Sequence, residues 1–282
     1  MAVDLFLPED IIGDSGLNVT IFCHGFKGFK DWGFIPHLHE FLVDENNALI
    51  TFNHTLNGVK ETDFDDLESF SVNTVGNELR DLESLALWIN ETGSKEYPIN
   101  PKKITWIGHS RGGGNVILFG SLFPDFVHKI ITWSAIDSYE HLFNYVDKDK
   151  WEKDGIYYIE NKRTKQQMPL SFELWKEYEE NKERYQIISS ARSLTQPLLI
   201  LHGSQDESVD INSSKRIYES CLHSIYIPIS EAGHTFGCAH PMNSLAAAPE
   251  PFWKVLENTY EFITEDLEND IEPEKDNTPI QN

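Results

Sequence analysis

Short apolar segments alternate with amphipathic segments along most of the chain, and this alternation constrains the fold more than any other feature. The apolar segments are rich in Ile, Val, Leu, Phe and Trp with little polar alternation, which is typical of strands covered on both faces. Strands separated by helices in this way form βα units around a sheet. The predicted strands are residues 19–23, 48–53, 104–108, 129–134, 198–202 and 224–229, and the predicted helices are residues 35–43, 72–92, 113–122, 213–220 and 251–269. The sequence therefore predicts an α/β fold with a mostly parallel sheet flanked by helices.

Two regions depart from the alternation. Residues 138–193 are too long for a simple crossover, and an insertion of this length between strands is usually functional, so we predict a cap over the site. A peripheral helical decoration is the alternative. Residues 265–282 are acidic and interrupted by proline, which predicts a disordered tail. The predicted organisation is one domain over residues 1–264, with a cap insertion at about 138–193, followed by the tail.

Composition and charge narrow the classes of partner. The chain has 282 residues and a formal net charge of −23, which disfavours nucleic acids and anionic membrane surfaces because both would repel it. No segment approaches the ~18 uninterrupted apolar residues that span a membrane, and the first residues lack the regions of an export signal. The 3 cysteines, an odd number without C-x-x-C spacing, fit a reducing compartment, so we expect a cytoplasmic protein.

A Gly-His-Ser-Arg-Gly pentapeptide at residues 108–112 follows a predicted strand and precedes a glycine-rich predicted helix. A serine on such a sharp strand-to-helix turn is strained, and the flanking glycines let the backbone make the turn. The turn exposes the hydroxyl of Ser110 above the end of the sheet. It also directs backbone N–H groups of the helix start toward the same place. Ser110 is therefore the predicted nucleophile.

A serine nucleophile needs a histidine base and a carboxylate that orients the histidine. Asp206 lies in the loop after the predicted strand 198–202, and His234 lies in the loop after the predicted strand 224–229. The C-terminal ends of strands are where open α/β sheets gather their sites. We therefore expect Asp206 and His234 to serve Ser110 as acid and base.

Both assignments have competitors in the sequence. Asp210 and Asp137 are alternative acids, but Asp206 stands in a Gly-Ser-Gln-Asp turn one loop before the predicted base. His240 is the alternative base, but it is followed by proline and lies further from the strand. A glycine precedes His234 and allows the backbone to bring the imidazole over the sheet edge.

The turn after the first predicted strand can supply an oxyanion hole, which a tetrahedral intermediate requires. A His-Gly-Phe sequence at residues 24–26 follows this strand, and we expect the backbone N–H of Phe26 to face the serine. The second predicted donor is the N–H of Arg111, the residue after the nucleophile. His24 is expected to hydrogen-bond within the loop rather than to act as a base.

Together these segments resemble the α/β-hydrolase family over roughly residues 18–264. The shared segments are His-Gly-Phe at 24–26, Gly-His-Ser-Arg-Gly-Gly at 108–113, His-Gly-Ser-Gln-Asp at 202–206 and Gly-His-Thr-Phe at 233–236. Within that family the chain looks most like the dienelactone-hydrolase-like and cinnamoyl (feruloyl) esterase-like small bacterial serine hydrolases. The resemblance implies a triad of Ser110, His234 and Asp206, an oxyanion hole at Phe26 and Arg111, a cap inserted after the sixth strand, and no cofactor.

The chain departs from the family at its start. Only about eighteen residues precede the first predicted strand, so the usual two leading antiparallel strands are expected to be shortened or absent. An uncovered sheet edge invites pairing with another subunit, so a homodimer is one expectation.

The predicted function is a carboxylic-ester hydrolase, a serine esterase acting on a small-molecule acyl substrate through an acyl-enzyme. Hydrolysis of an amide, peptide or thioester bond, or acyl transfer, are alternatives that use the same residues. A non-catalytic hydrolase-like binding protein is disfavoured by the presence of the whole set of site residues. A metal-dependent hydrolase is disfavoured because H-E-x-x-H and H-x-x-E-H spacings are absent, so no metal is expected.

Aromatic residues of the cap and of the oxyanion loop suggest a pocket for an acyl or aromatic group. For any single residue, packing within the core is an equally good explanation. The predicted pocket residues are Phe29, Trp32, Trp151, Tyr157 and Trp175.

Overall fold

The computed structural model describes residues 1–11, 15–161 and 164–265. Its strands are β1 (Val3–Phe6), β2 (Leu17–Cys23), β3 (Asn47–Phe52), β4 (Ile99–His109), β5 (Lys129–Trp133), β6 (Ile156–Glu160), β7 (Gln167–Ser171), β8 (Leu198–Gly203) and β9 (Ser224–Ile229). In the described residues, seven strands form one sheet in the order β1-β3-β2-β4-β5-β8-β9. Strand β1 pairs antiparallel with β3, and every other pair in this sheet is parallel.

Helices lie on both faces of this sheet and in the segment between β5 and β8. They are α1 (His39–Leu42), α2 (Leu67–Ser71), α3 (Val75–Trp88), α4 (Ser94–Glu96), α5 (Arg111–Leu122), α6 (Lys148–Asp154), α7 (Glu173–Glu180), α8 (Ile187–Ser193), α9 (Ile211–Ser220) and α10 (Glu250–Thr264). The predicted helix at residues 72–92 begins later than expected, because Thr74 caps α3 by accepting the N–H of Asn77 at 3.2 Å. The mostly parallel sheet with flanking helices that the sequence predicts is confirmed.

Successive side chains of the central strands belong to opposite faces of the sheet. Ile21 of β2 and Trp106 of β4 lie in one buried cluster, whereas Phe22 and Ile107 lie in the other. All four side chains are almost completely buried. A strand covered on both faces must be apolar at consecutive positions, which explains the continuous apolar segments in the sequence.

The insertion between β5 and β8 contains the antiparallel hairpin of β6 and β7 together with α6, α7 and α8. Trp151 of α6 is buried in the insertion, and its indole N–H donates to the carbonyl oxygen of Leu170 at 2.9 Å. The side chains at the start of the insertion and at the end of β6 reach toward the C-terminal ends of the sheet strands, as described below. The insertion therefore contributes to the region where the site residues lie.

The beginning of the chain adds one strand that the apolar pattern did not reveal. The four-residue strand β1 pairs with β3 through partners such as Leu5 and Ile50, so one short antiparallel strand precedes β2. The predicted tail, residues 265–282, lies outside the described residues apart from Glu265. Within the part of the chain that the structure describes, no helix is both long and apolar enough to cross a membrane.

Candidate active site

Ser110 occupies a strained turn between β4, which ends at His109, and α5, which begins at Arg111. Its φ of 57° and ψ of −119° are rarely adopted by a residue with a side chain. The surrounding backbone holds this conformation, since the N–H of Ser110 donates to the carbonyl of Trp133 at 2.8 Å. The carbonyl of Ser110 accepts hydrogen bonds from Gly113 at 3.0 Å and from Ile136 at 3.2 Å.

Two close approaches explain why glycine is needed around this turn. A Cβ atom on Gly108 would lie 2.3 Å from the carbonyl oxygen of Gly112, so β4 and α5 meet backbone to backbone. A Cβ atom on Gly25 would lie 2.9 Å from the Cβ of Ser110 and 3.5 Å from its Oγ. The turn after β2 therefore packs directly against the serine.

His24 fixes the orientation of the peptide between Gly25 and Phe26. The carbonyl oxygen of Gly25 accepts hydrogen bonds from His24 Nδ1 at 2.9 Å and from the N–H of Gly28 at 2.9 Å. Because the C=O and N–H of a trans peptide point in opposite directions, the N–H of Phe26 is directed away from these two donors. Burial, together with the neighbouring imidazole of His54, lowers the pKa of His24 to about 3, so this ring is neutral at pH 7.

Asp206 and His234 form a hydrogen-bonded pair. His234 Nδ1 lies 2.8 Å from Asp206 Oδ2, so the ring donates to the carboxylate. The other oxygen, Oδ1, accepts the backbone N–H groups of Ser208 at 2.8 Å and Val209 at 2.9 Å. With Nδ1 donating, Nε2 of His234 is the nitrogen left to accept a proton.

A second histidine supports the same carboxylate. His202 Nε2 lies 3.3 Å from Asp206 Oδ2 and donates to the carbonyl of Val209 at 3.0 Å, while its Nδ1 lies 2.6 Å from the hydroxyl of Ser214. Burial alone would raise the pKa of Asp206, but the hydrogen bonds from His202 and His234 outweigh it and hold that pKa far below its usual value. No role was predicted for His202. Its position on a buried strand, four residues before Asp206, indicates that it can contact that carboxylate.

The backbone of His234 is also held in place. His109 Nε2 donates to the carbonyl oxygen of His234 at 2.9 Å, and the two rings lie 4.7 Å apart between centroids. The residue before the serine thus positions the loop that carries His234. This contact connects the turn after β4 to the loop after β9.

Ser110 and His234 line the same cavity, which has a volume of about 410 Å³. Phe26 and Trp32 line it from the loop after β2, and Asn161 lines it from the insertion. A second cavity of about 210 Å³ also borders Ser110. Ile136, Tyr139 and Leu142 contribute to its wall. Phe26, Ser110 and Ser208 line both cavities.

A buried ion pair lies beside Phe26. Arg111 Nε donates to Glu78 Oε2 at 2.9 Å, and the side chains of both residues are 6% exposed. Burial alone would raise the pKa of Glu78, but the charge of Arg111, the imidazole of His54 and the hydrogen bond from Asn115 together lower that pKa. The guanidinium of Arg111 also lies 5.4 Å from the ring centroid of Phe26, so the ion pair supports the loop that carries the predicted N–H donor.

The competing acids and base make other contacts. Asp210 caps α9 by accepting the N–H of Asn212 at 2.8 Å. Asp137 accepts a hydrogen bond from Arg216, and His240 accepts the N–H of Gly33 through Nδ1 at 2.8 Å. Of the candidates weighed from the sequence, Asp206 is the acid that the structure places against His234.

The predicted pocket aromatics do not all reach the serine. Trp32 lines the larger cavity, whereas the other four lie outside the linings of both cavities. Phe29 is 2% exposed and packs against Phe64, and Trp151 packs against the ring of Tyr157. Trp175 lies on the insertion, with the Lys148 ammonium 3.6 Å from its ring centroid. These aromatic side chains pack within the core and the insertion.

Among the described residues, no group of three or more His, Cys, Asp or Glu side chains is arranged to hold a metal ion.

Comparison with known proteins gives structural relatives only. No family model and no curated protein matches the chain. Est1E from Butyrivibrio proteoclasticus, solved with ferulic acid bound, is similar at 18% identity, covering 93% of this chain and 93% of its own, with a TM-score of 0.68. Alpha/beta hydrolase domain-containing protein 10 from mouse is similar at 16% identity, covering 93% and 98%, with a TM-score of 0.65. A monoacylglycerol lipase from Paleococcus ferrophilus is similar at 15% identity, covering 93% and 97%, with a TM-score of 0.61.

Proposed function

We propose that this chain, which has the α/β-hydrolase fold, is a serine esterase that forms an acyl-enzyme on Ser110. The observation that carries the proposal is the hydrogen bond of 2.8 Å between His234 and Asp206 beside a cavity that both His234 and Ser110 line. An ionised carboxylate holds the imidazole in the tautomer whose Nε2 can take a proton from serine. The solved esterases and lipase with the same fold support ester bonds as the first substrates to test.

The first half of the reaction transfers the acyl group to the enzyme. Ser110 Oγ attacks the carbonyl carbon while its proton passes to His234, and the carbonyl oxygen becomes an oxyanion. The backbone N–H groups of Phe26 and Arg111 are the proposed donors to this oxyanion. The bond to the leaving group then breaks, and His234 returns the proton to the departing oxygen.

The second half releases the acid. A water molecule gives a proton to His234 and adds to the acyl carbon of the enzyme ester. The bond to Ser110 Oγ then breaks, and the oxygen regains its proton from His234. Asp206 remains ionised throughout and stabilises the imidazolium that forms in each half.

The test compares the wild-type protein with Ser110→Ala and with Ser121→Ala, a serine-to-alanine change on α5 remote from both cavities. The panel contains p-nitrophenyl butyrate, methyl ferulate, a butyryl thioester and a butyryl anilide. We expect ester hydrolysis in the wild type and in Ser121→Ala, with a loss of about 10⁴-fold or more in Ser110→Ala. Equal rates in all three proteins would refute the proposal, and a preference for the thioester or anilide would replace the ester assignment.

The proposed compartment rests on a separate observation. The odd number of cysteines, 3 in all, cannot be fully paired in a disulfide framework within one chain. This supports the proposal that the enzyme works in the reducing environment of the cytoplasm.

A further inference from the structure

Ser110 lies where two cavities of different size meet. The larger cavity has a volume of about 410 Å³ and the smaller one a volume of about 210 Å³. Phe26 and Ser208 line both cavities and mark the boundary between them. An ester bound with its carbonyl at Ser110 would extend its acyl group into one cavity and its leaving group into the other.

The position of His234 decides which part enters which cavity. In the proposed reaction the departing oxygen takes its proton from His234, so it must come within hydrogen-bond distance, about 2.6–3.2 Å, of that ring. Among the described residues, His234 belongs to the lining of the larger cavity and not to that of the smaller one. The leaving group therefore departs through the larger cavity, which leaves the smaller cavity for the acyl group.

Both linings combine apolar and charged residues. Ile136 and Leu142 give the smaller cavity apolar walls beside Arg111. Trp32 gives the larger cavity an apolar wall beside Glu160. Apolar walls favour a hydrocarbon group, because contact with them removes apolar surface from water, so the size of each cavity and its access to the imidazole, rather than its polarity, distinguish the two.

Resting on the proposed function, we propose that the smaller cavity is the acyl subsite and that the substrate is an ester of a compact apolar acid with a larger alcohol. Leu142 is the side chain that limits the acyl group. It lies on the short helical turn Tyr139–Leu142 at the start of the insertion, and it is only half-buried, so a larger side chain can be accommodated there without disrupting the sheet. Trp32 lines the larger cavity and is the corresponding position at which a substitution tests the leaving-group side.

The experiment measures two selectivities in the full-length enzyme. The acyl selectivity is the ratio of kcat/KM for p-nitrophenyl octanoate to that for p-nitrophenyl acetate, at a constant leaving group. The leaving-group selectivity is the ratio of kcat/KM for glyceryl monobutyrate to that for methyl butyrate, at a constant acyl group. Both are measured in the wild type, Leu142→Trp, Leu142→Ala and Trp32→Ala, with melting temperatures to confirm that each variant folds.

Leu142→Trp is expected to lower the acyl selectivity by about 10-fold or more, because the loss of room for even one methylene in an apolar pocket produces about that discrimination. Leu142→Ala is expected to raise the acyl selectivity. Trp32→Ala is expected to change the leaving-group selectivity at least about threefold and to leave the acyl selectivity within about twofold. An exchange of these effects between the two positions, or no effect at either, would overturn the assignment. Ester turnover that survives Ser110→Ala would refute the proposed function and this inference with it, whereas turnover that requires Ser110 without the expected selectivities would refute only the inference.

Discussion

His24 donates a hydrogen bond of 2.9 Å from Nδ1 to the carbonyl oxygen of Gly25, the residue that follows it. This bond orients the peptide whose N–H belongs to Phe26, so His24 is a positioning residue for the proposed oxyanion hole. We expect His24→Phe, which has no donor, to lower kcat by about 10- to 100-fold with little change in KM, because the donor acts mainly in the transition state.

A matched variant separates this role from a structural one. The side-chain amide of His24→Asn can donate from near the Nδ1 position, so we expect it to recover most of the lost kcat. The pH dependence of kcat/KM should be unchanged in both variants, since the ring of His24 is neutral over the working range. A shift of that pH profile, or equal losses in both variants, would contradict the positioning role.

His24 also makes the stability of the fold depend on pH. Its pKa falls from about 6.5, the ordinary value for histidine, to about 3 in the folded protein, chiefly through burial. The unfolded chain therefore binds a proton that the folded chain does not, so this contribution to stability is complete above about pH 6.5 and is lost as the pH falls toward 3. At pH 5 the loss is about 2 kcal/mol, from 1.36 kcal/mol for each pH unit below 6.5.

Urea unfolding at pH 7.5 and pH 5 measures this effect. The free energy of unfolding of the wild type should fall between the two pH values by about 2 kcal/mol more than that of His24→Asn, whose side chain does not titrate. Equal decreases in the two proteins would show that His24 is not the group responsible.

Asp206 should be far more important for activity than its neighbouring acids. Asp206→Asn can present its amide N–H₂ to His234 and favour the wrong tautomer of the imidazole, so we expect kcat to fall by about 10³- to 10⁴-fold. Asp210→Asn makes the same chemical change in the next part of the loop, where asparagine is also a good helix cap, and should keep wild-type activity. Steady-state kinetics of the two variants check the assignment, and a larger loss in Asp210→Asn would reverse it.

Substitutions of Glu78 and of Arg111, the two residues of the buried ion pair, should have coupled effects on the free energy of unfolding. Removing one partner leaves a buried charge without compensation, so we expect Glu78→Leu to lower the free energy of unfolding by about 3–5 kcal/mol. The double variant Glu78→Leu with Arg111→Met should be more stable than the sum of the two single changes by about 2 kcal/mol or more. Additive effects in this double-mutant cycle would contradict the coupling.

The sheet was predictable from sequence because its central strands are buried on both faces and therefore form continuous apolar segments. Strand β1 has four residues that are mostly half-buried, and β6 alternates between exposed and half-buried positions, so neither gave that signal. The turn at Ser110 and the loops of Asp206 and His234 were predictable because each follows an apolar strand in a fixed order, although β9, the strand before His234, is only partly buried.

Local sequence patterns did not predict the contacts between distant segments of the chain. Nothing in the sequence around Glu78 indicates that its carboxylate meets Arg111, since the contact depends on how α3 packs beside α5. The same is true of the predicted pocket aromatics. The sequence places Trp151 and Trp175 in the insertion, but only the packing of the insertion determines that both lie outside the linings of the two cavities beside Ser110 and that Leu142 lines one of them.

Trapping the acyl-enzyme intermediate shows directly whether Ser110 carries the acyl group. The enzyme is mixed with p-nitrophenyl butyrate, quenched in acid within milliseconds, digested and analysed by mass spectrometry for a butyryl group. We predict a butyryl adduct on Ser110 that appears with the first turnover of p-nitrophenol and is absent from Ser110→Ala. Release of p-nitrophenol with no adduct on Ser110 at any quench time, or with the adduct on another residue, would show that Ser110 is not the nucleophile.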